Sequence, residues 1–165
     1  MIGPVLLQTM WEYNHRINTR LLDLAVTVPA AEWDAYVDYV PYSLHETLFH
    51  LLAVEEEWLT LCQEGRPRFE FHSMAAYPDV AALRALGDQV YAAGQAYLAR
   101  LDDTGLAATV SGRLPDGGEH TVVIWRVLIH TLYHSAYHRS EAAVLLTRYG
   151  HSPGDIEFYG FMLQR

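Results

Sequence analysis

Ile129–Gly150, with the sequence IHTLYHSAYHRSEAAVLLTRYG, combines two patterns that belong to one helix. Its three histidines, His130, His134 and His138, are spaced four residues apart. Because four residues turn about 40° around an α-helix, these imidazoles lie along one stripe. Leucine and alanine recur at helical spacing, and neither proline nor glycine interrupts the segment before its last residue. The segment therefore predicts an amphipathic helix whose histidines point into a helix bundle.

Two segments earlier in the chain predict long helices with similar apolar stripes. The first begins at Pro4, which suits a first helical turn, and ends before Pro29. The second begins at a capping box, in which the Ser43 hydroxyl and the Glu46 carboxylate each satisfy a free backbone N–H. It ends at Gly65, a residue type that favours helix C-termini.

A further long helix is predicted after Pro78-Asp79. It contains Gly87 and Gly94, each of which costs about 1 kcal/mol in a helix relative to alanine. The two glycines are seven residues apart and lie nearly on one face, so we interpret them as positions of close helix approach.

The connection before the last long helix predicts a short hairpin. Asp116-Gly117-Gly118 is a turn signal between two β-prone segments, Ala107–Arg113 and Glu119–Val123. The last long helix is predicted from about Thr121 to Tyr149, a short terminal helix follows through Phe161, and residues 66–77 are predicted to be a loop. These elements indicate an all-α fold, a four-helix bundle with a long crossover, forming a single domain over residues 1–165.

Composition excludes several classes of partner. The net charge is −9, with 11 Lys+Arg against 20 Asp+Glu, which disfavours nucleic-acid binding. No apolar run approaches the roughly 18 residues of a membrane span, and the N-terminus lacks the basic region of a signal peptide. Cys62 is the only cysteine, so no intramolecular disulfide can form. We interpret Cys62 as a core residue and expect a cytoplasmic protein.

The histidine stripe predicts a metal site. Two imidazoles four residues apart on a helix can bind one metal ion, but a neighbouring helix must complete the shell. His50, in the second long helix, is the best candidate for the third ligand. The stripe alone does not say whether His130 and His134 or His134 and His138 form the pair. Three neutral imidazoles leave positions for water or substrate, and imidazole suits Zn, Ni, Fe and Cu, among which affinity alone does not choose.

Three further histidines, His45, His72 and His120, are interpreted as hydrogen-bonded structural residues. His45 precedes His50 by five residues and lies about 140° away around the helix, so the two do not share a site.

Three segments resemble the DinB-like (YfiT-like) superfamily. HTLYHSAYHRSEAAVLLTRYG, from His130, is similar to the last-helix signature of that family, in which a histidine pair ending in His-Arg precedes Gly-Gln and a leucine-rich run to glycine. HLLAVEEEWL, His50–Leu59, resembles the first-ligand segment, and MWEYNHRINTRLL, Met10–Leu22, resembles the first helix. The resemblance covers nearly the whole chain.

The resemblance implies a four-helix bundle, commonly dimeric, with a divalent metal ion. Carried over residue by residue, the implied ligands are His50, His134 and His138, and His130 is not a ligand. Ser140-Glu141 replaces the usual Gly-Gln, which changes the wall near the site and leaves the transfer of a particular substrate open. The implied metal is Zn, Ni, Fe or Mn, with Zn or Ni favoured.

The resemblance also implies a small-molecule substrate and two kinds of chemistry. The chain is expected to be a metal-dependent hydrolase or a transferase that uses a low-molecular-weight thiol such as bacillithiol or mycothiol. The alternative is a non-catalytic metal-binding stress-response module. Glu55 and Glu141 are candidates to orient a ligand imidazole or to act as a base. Arg139 follows His138 and points about 100° away, outside the pocket.

Overall fold

The computed structural model describes residues 3–65, 72–113 and 116–163. In these ranges four long helices and one short hairpin form the framework, with two short α-helices in the connections and a third after the last long helix. The elements, in chain order, are α1 (Pro4–Ala25), α2 (Ala30–Trp33), α3 (Leu44–Glu64), α4 (Val80–Leu98), α5 (Asp103–Ala107), β1 (Thr109–Arg113), β2 (Glu119–Val123), α6 (Ile124–Arg148) and α7 (Phe158–Met162).

The ends of α3 confirm the capping predicted from its sequence. Ser43 Oγ accepts a hydrogen bond from the Glu46 backbone N–H at 3.2 Å, and the Ser43 backbone N–H donates to Glu46 Oε2 at 2.9 Å. Gly65 follows the last turn with φ +73°, a left-handed conformation that glycine adopts without steric cost. These local signals place His50 within the second turn of a well-defined helix.

The four long helices form the predicted bundle. The extensive helix pairs are α1 with α4, α4 with α3, α3 with α6 and α6 with α1, so α1 and α3 lie diagonally across the bundle. Leucines fill the interior, and each fully buried leucine contributes about 1.5–3 kcal/mol. The first two long helices, α1 and α3, lie diagonally across the bundle, and so do the last two, α4 and α6. The chain must therefore cross the end of the bundle between the helices of each pair, which accounts for the long crossovers. Among the described residues, none of the helices is long and apolar enough to cross a membrane.

The predicted hairpin is confirmed, but the beginning predicted for α6 is wrong. Thr121 pairs with Ser111 across the sheet, and their hydroxyl oxygens lie 2.7 Å apart, so the chain remains extended through Val123. The helix therefore begins at Ile124, whose backbone N–H donates to Ala108 O at 2.9 Å.

Two other connections differ in detail from the sequence predictions. The β-prone segment predicted from Ala107 begins at Thr109, because α5 occupies the preceding residues. Of the predicted loop, residues 66–71 lie outside the described ranges, and Met74–Ala76 form one turn of 3₁₀-helix.

The two glycines of α4 allow close approach to different neighbours. At Gly94, an added Cβ would overlap the Trp11 indole of α1, which is buried and donates to Tyr91 O at 3.3 Å. At Gly87, an added Cβ would lie 3.3 Å from Cδ2 of Leu52, the flexible end of a side chain on α3.

We predict that Gly94→Ala lowers the free energy of unfolding by about 1–3 kcal/mol, because the rigid Trp11 ring must move. Gly87→Ala is the matched control, since the leucine end can yield and the helix gains about 1 kcal/mol from alanine. Urea unfolding of both variants measures the difference. Equal stability of the two variants would contradict the close packing at Gly94.

Candidate metal centre

His50 of α3 and His134 and His138 of α6 converge on one point. A ring nitrogen of each lies within 4.8 Å of a ring nitrogen of the other two. The ring centroids are separated by 5.1 Å for His50–His134, 4.6 Å for His50–His138 and 4.4 Å for His134–His138. His138 is buried, whereas His50 and His134 are partly exposed. Within the described ranges, no other three histidine, cysteine or acidic side chains form such a group.

The electrostatics of this group favour neutral imidazoles. Burial, followed by the neighbouring histidines His138, His50 and His130, lowers the pKa of His134 to about 3. Burial also lowers the pKa of His50, to which the proximity of His138 adds. Neutral imidazole is the form that binds a metal ion, so the site needs no deprotonation of these two residues near neutral pH.

The Nδ1 atom of His134 provides a test of whether the residues fit a metal ion. This atom is buried and has no hydrogen-bond partner among the described residues. A buried nitrogen without a partner is unfavourable, and most such groups in proteins are satisfied by protein, water or a bound ligand. An unpaired nitrogen beside two further imidazoles fits the nitrogen-rich ligand set of a divalent transition metal.

Glu141 fixes the orientation of His138. Its Oε2 lies 2.7 Å from His138 Nδ1, three residues earlier on α6. A carboxylate can only accept in this contact, so His138 carries its proton on Nδ1 and presents the lone pair of Nε2. This arrangement is the usual outer-shell support of a ligand histidine.

Two tyrosines flank the three histidines. The Tyr42 ring stacks beside His50 with centroids 5.9 Å apart, and the edge of the Tyr137 ring meets His138 at 5.0 Å. Both rings are exposed. The charge of Glu141, together with its hydrogen bond to the Tyr137 hydroxyl, raises the pKa of Tyr137. The walls of the site on this side are therefore aromatic.

His130 stands apart from the group. Its ring packs edge-on against Trp58 with centroids 4.9 Å apart, and its centroid lies 6.0 Å from that of His134. The residue is exposed. Of the two histidine pairs that the stripe left open, the structure brings His134 and His138 together with His50.

The histidines interpreted as structural all have hydrogen-bond partners. His45 contacts Asp34 Oδ1 at 2.9 Å and Tyr77 O at 2.7 Å. His72 contacts Glu56 and Tyr77, and His120 contacts Asp116.

The interpretation of Cys62 as a core residue agrees with its environment. The side chain is buried, and burial raises the pKa of the thiol to about 12. A thiol in this state is a poor nucleophile.

A second group of polar side chains, which we call the polar cluster, is buried beside the histidines. Glu55 Oε1 accepts from Asn14 Nδ2 at 2.7 Å, Asn18 Nδ2 at 2.9 Å and Ser135 Oγ at 2.6 Å. Arg139 donates to Asn14 Oδ1. The members of the polar cluster are Asn14, Asn18, Glu55, Ser135 and Arg139, all buried.

The polar cluster contains two residues, Glu55 and Arg139, that the sequence analysis considered near the metal site. Glu55 faces the amides of α1 and Ser135, and Arg139 points into the bundle toward Asn14, away from the pocket as expected from its spacing. The cluster itself was not predicted. Its one signal in the sequence is the pair of asparagines, Asn14 and Asn18, four residues apart on the apolar face of α1.

Comparison with known proteins gives a family and a fold. The sequence model described as the DinB family matches residues 1–164. YfiT from Bacillus subtilis, described as a probable metal-dependent hydrolase with an unusual four-helix bundle topology, is 16% identical with a TM-score of 0.70 over 92% of each chain. A DinB-like protein from Bacillus subtilis, YjoA, is 16% identical with a TM-score of 0.64, over 87% of this chain and 92% of that one. A comparison with curated proteins finds no match.

Proposed function

Because this chain belongs to the DinB family, we propose that it is a metal-dependent hydrolase of small molecules whose divalent ion is held by His50, His134 and His138. The observation that carries the proposal is the convergence of these imidazole nitrogens, from two helices, on one point. The description of YfiT as a probable metal-dependent hydrolase supports the same reaction class.

The residues around the point have separable roles in this proposal. A divalent ion bound there would supply Lewis-acid chemistry and would bring the pKa of a coordinated water toward 7. Three protein ligands leave further positions for substrate. His50 and His134 stay neutral through burial, and Glu141 holds the Nδ1 proton of His138. Tyr42 and Tyr137 contact the histidines and bound the space that a substrate would enter.

For the metal, we propose Zn or Ni ahead of Fe or Mn. All three proposed ligands are imidazoles, and this ligand type suits Zn, Ni and Fe, whereas Mn prefers carboxylate and water oxygens. Glu141 is engaged with His138 and Tyr137, so its carboxylate supports the shell rather than joining it.

Transfer by a low-molecular-weight thiol is the second candidate. It is supported by the state of Cys62, the only cysteine, which is buried with a pKa of about 12. A thiol nucleophile would therefore come from a cosubstrate such as bacillithiol, and metal coordination would favour its thiolate form.

The experiment that tests this proposal compares metal-stripped and reloaded protein. The stripped protein is reloaded separately with Zn, Ni, Fe and Mn and assayed on chromogenic esters and amides, and on conjugation of bacillithiol to an electrophile. We expect hydrolysis only in the reloaded protein. Conjugation without hydrolysis would favour the thiol transferase. No turnover with any metal would leave the non-catalytic metal-binding stress-response module as the better account.

We further propose a cytoplasmic homodimer. The dimer is proposed from the resemblance to DinB-like proteins, which are commonly dimeric. Light scattering that shows a monomer would contradict the dimer. The compartment is proposed because Cys62 is the only cysteine, so the fold uses no intramolecular disulfide.

A further inference from the structure

We propose that the polar cluster is a positioning device for the histidine site. In this account it fixes the rotation and translation of α6 against α1 and α3, and so sets where His134 and His138 stand relative to His50. The inference rests on the proposed function, since it concerns the same metal centre. It assigns a role to two buried ionisable groups, Glu55 and Arg139, that bind neither metal nor substrate in the proposal above.

The first argument is the alternation of the two groups along α6. Ser135 directly follows His134, and Arg139 directly follows His138. Adjacent residues on a helix point about 100° apart, so the histidines and the cluster residues occupy neighbouring faces of the same two turns. Any rotation or slide of α6 that displaces the histidines from His50 must also break the contacts of Ser135 and Arg139.

The second argument is that the cluster joins three helices. Glu55 stands on α3, five residues after His50, and its Oε1 receives hydrogen bonds from α1 and from α6. Because α1 and α3 are diagonal in the bundle, these bonds cross its interior. Helix α1 supplies none of the three histidines but supplies both asparagines, so it acts on the site only through the other two helices.

The third argument is the difference between directional and non-directional contacts. Leucines line the bundle interior around the cluster, and apolar surfaces of this kind tolerate repacking. A buried carboxylate and a buried guanidinium do not tolerate such repacking, because each is strongly unfavourable without its hydrogen-bond partners. Buried polar residues that fix the register of packed helices are well attested in coiled coils. Here the register that they fix is the one that assembles the histidines.

The test uses Co²⁺ as the probe, since its visible absorption reports both binding and coordination geometry. Ser135→Ala removes one donor to Glu55 without touching a histidine. We expect its Co²⁺ dissociation constant, measured by competition with a chromophoric chelator, to rise about tenfold, the lower end of the loss seen when a group that directly supports a ligand is removed. The Co²⁺ absorption spectrum should change as well, which a loss of stability alone would not cause.

Thr131→Val is the matched control. Thr131 lies one turn earlier on α6 and is also buried. Its hydroxyl donates to the backbone oxygen of Val127 at 2.9 Å, four residues earlier. Ser135 Oγ makes the same kind of contact with the backbone oxygen of Thr131 at 2.9 Å, in addition to its bond to Glu55. The Thr131 hydroxyl is not among the three groups that donate to Glu55 Oε1. The control should bind Co²⁺ with wild-type affinity and spectrum.

Asn18→Leu is a second variant that keeps the test valid if Ser135→Ala does not fold. Asn18 lies on α1, and it contacts Glu55 at 2.9 Å. Weaker Co²⁺ binding and an altered spectrum in this variant would show that a helix without a ligand influences the site. Wild-type affinity and spectrum in either folded cluster variant would overturn the positioning role alone. Absence of Co²⁺ binding by the wild-type protein would overturn both this role and the proposed metal centre.

Discussion

Replacing His134 by alanine is expected to remove most of the divalent metal from a protein that otherwise carries about one ion per chain. His134 forms one corner of a triangle of imidazoles, with its ring centroid 5.1 Å from that of His50 and 4.4 Å from that of His138. Its loss leaves two imidazoles, too few to hold an ion firmly. Elemental analysis of protein purified without chelators measures the effect.

His130→Ala is the matched control for this prediction. It makes the same substitution on the same helix, one turn away, at an exposed residue that packs against Trp58. We expect its metal content to equal that of the wild-type protein. If His130→Ala loses the metal and His134→Ala keeps it, the pairing of histidines given above is incorrect.

Replacing Arg139 by methionine is expected to lower the free energy of unfolding by about 3–5 kcal/mol, because the change leaves the buried Glu55 carboxylate without the opposite charge on the far side of Asn14. The Arg139 guanidinium is buried, donates to Asn14 and lies 5.3 Å from the centroid of the Tyr13 ring. Burial raises the pKa of the Glu55 carboxyl and lowers the pKa of the Arg139 guanidinium. The positive charge of Arg139 counteracts the shift at Glu55, and the negative charge of Glu55 counteracts the shift at Arg139. Methionine retains the apolar stem but removes the hydrogen bond that Arg139 donates to Asn14 Oδ1.

Arg20→Met is the control for the loss of an arginine. Arg20 is exposed and donates to Asp155 O at 2.9 Å, so we expect a change of about 0.5 kcal/mol or less. Urea unfolding of both variants gives the comparison. A loss in Arg139→Met no greater than in Arg20→Met would show that the buried guanidinium contributes little.

A double-mutant cycle tests whether the charges of Glu55 and Arg139 compensate one another. Glu55→Gln removes the negative charge and keeps an oxygen that can accept from the asparagines and Ser135. If the two charges compensate one another, the double variant should lose less stability than the sum of the single variants, by about 1 kcal/mol or more. Strict additivity would place the compensation elsewhere.

The sequence predicts those features that depend on residues close together in the chain. The capping box of α3 and the turn at Gly117 are encoded within a few residues, and both are found as predicted. The four-residue spacing of the histidines likewise predicts one stripe on one helix. The sequence places the beginning of α6 three residues too early. Thr121 pairs with Ser111 across the hairpin, and this pairing keeps the chain extended where the local sequence alone predicts helix.

The sequence could not predict contacts between helices that are distant in the chain. Which histidine pair faces His50 depends on the rotation of α6, and spacing alone leaves both pairs open. The resemblance to DinB-like proteins, not the spacing, singled out His134 and His138. The polar cluster was missed for the same reason, since its hydrogen bonds join residues separated by 37 to 125 positions. Only the two asparagines on the apolar face of α1 indicated a buried polar partner.

The most direct test of the metal centre is an anomalous difference map, recorded at the absorption edge of the bound metal, from crystals of the reloaded protein. The proposal predicts one peak within coordination distance of His50, His134 and His138, with ligand contacts of about 2.0–2.1 Å if the metal is zinc. A single peak at another place on the protein, or no peak in crystals of protein whose metal content is confirmed before crystallisation, would contradict it.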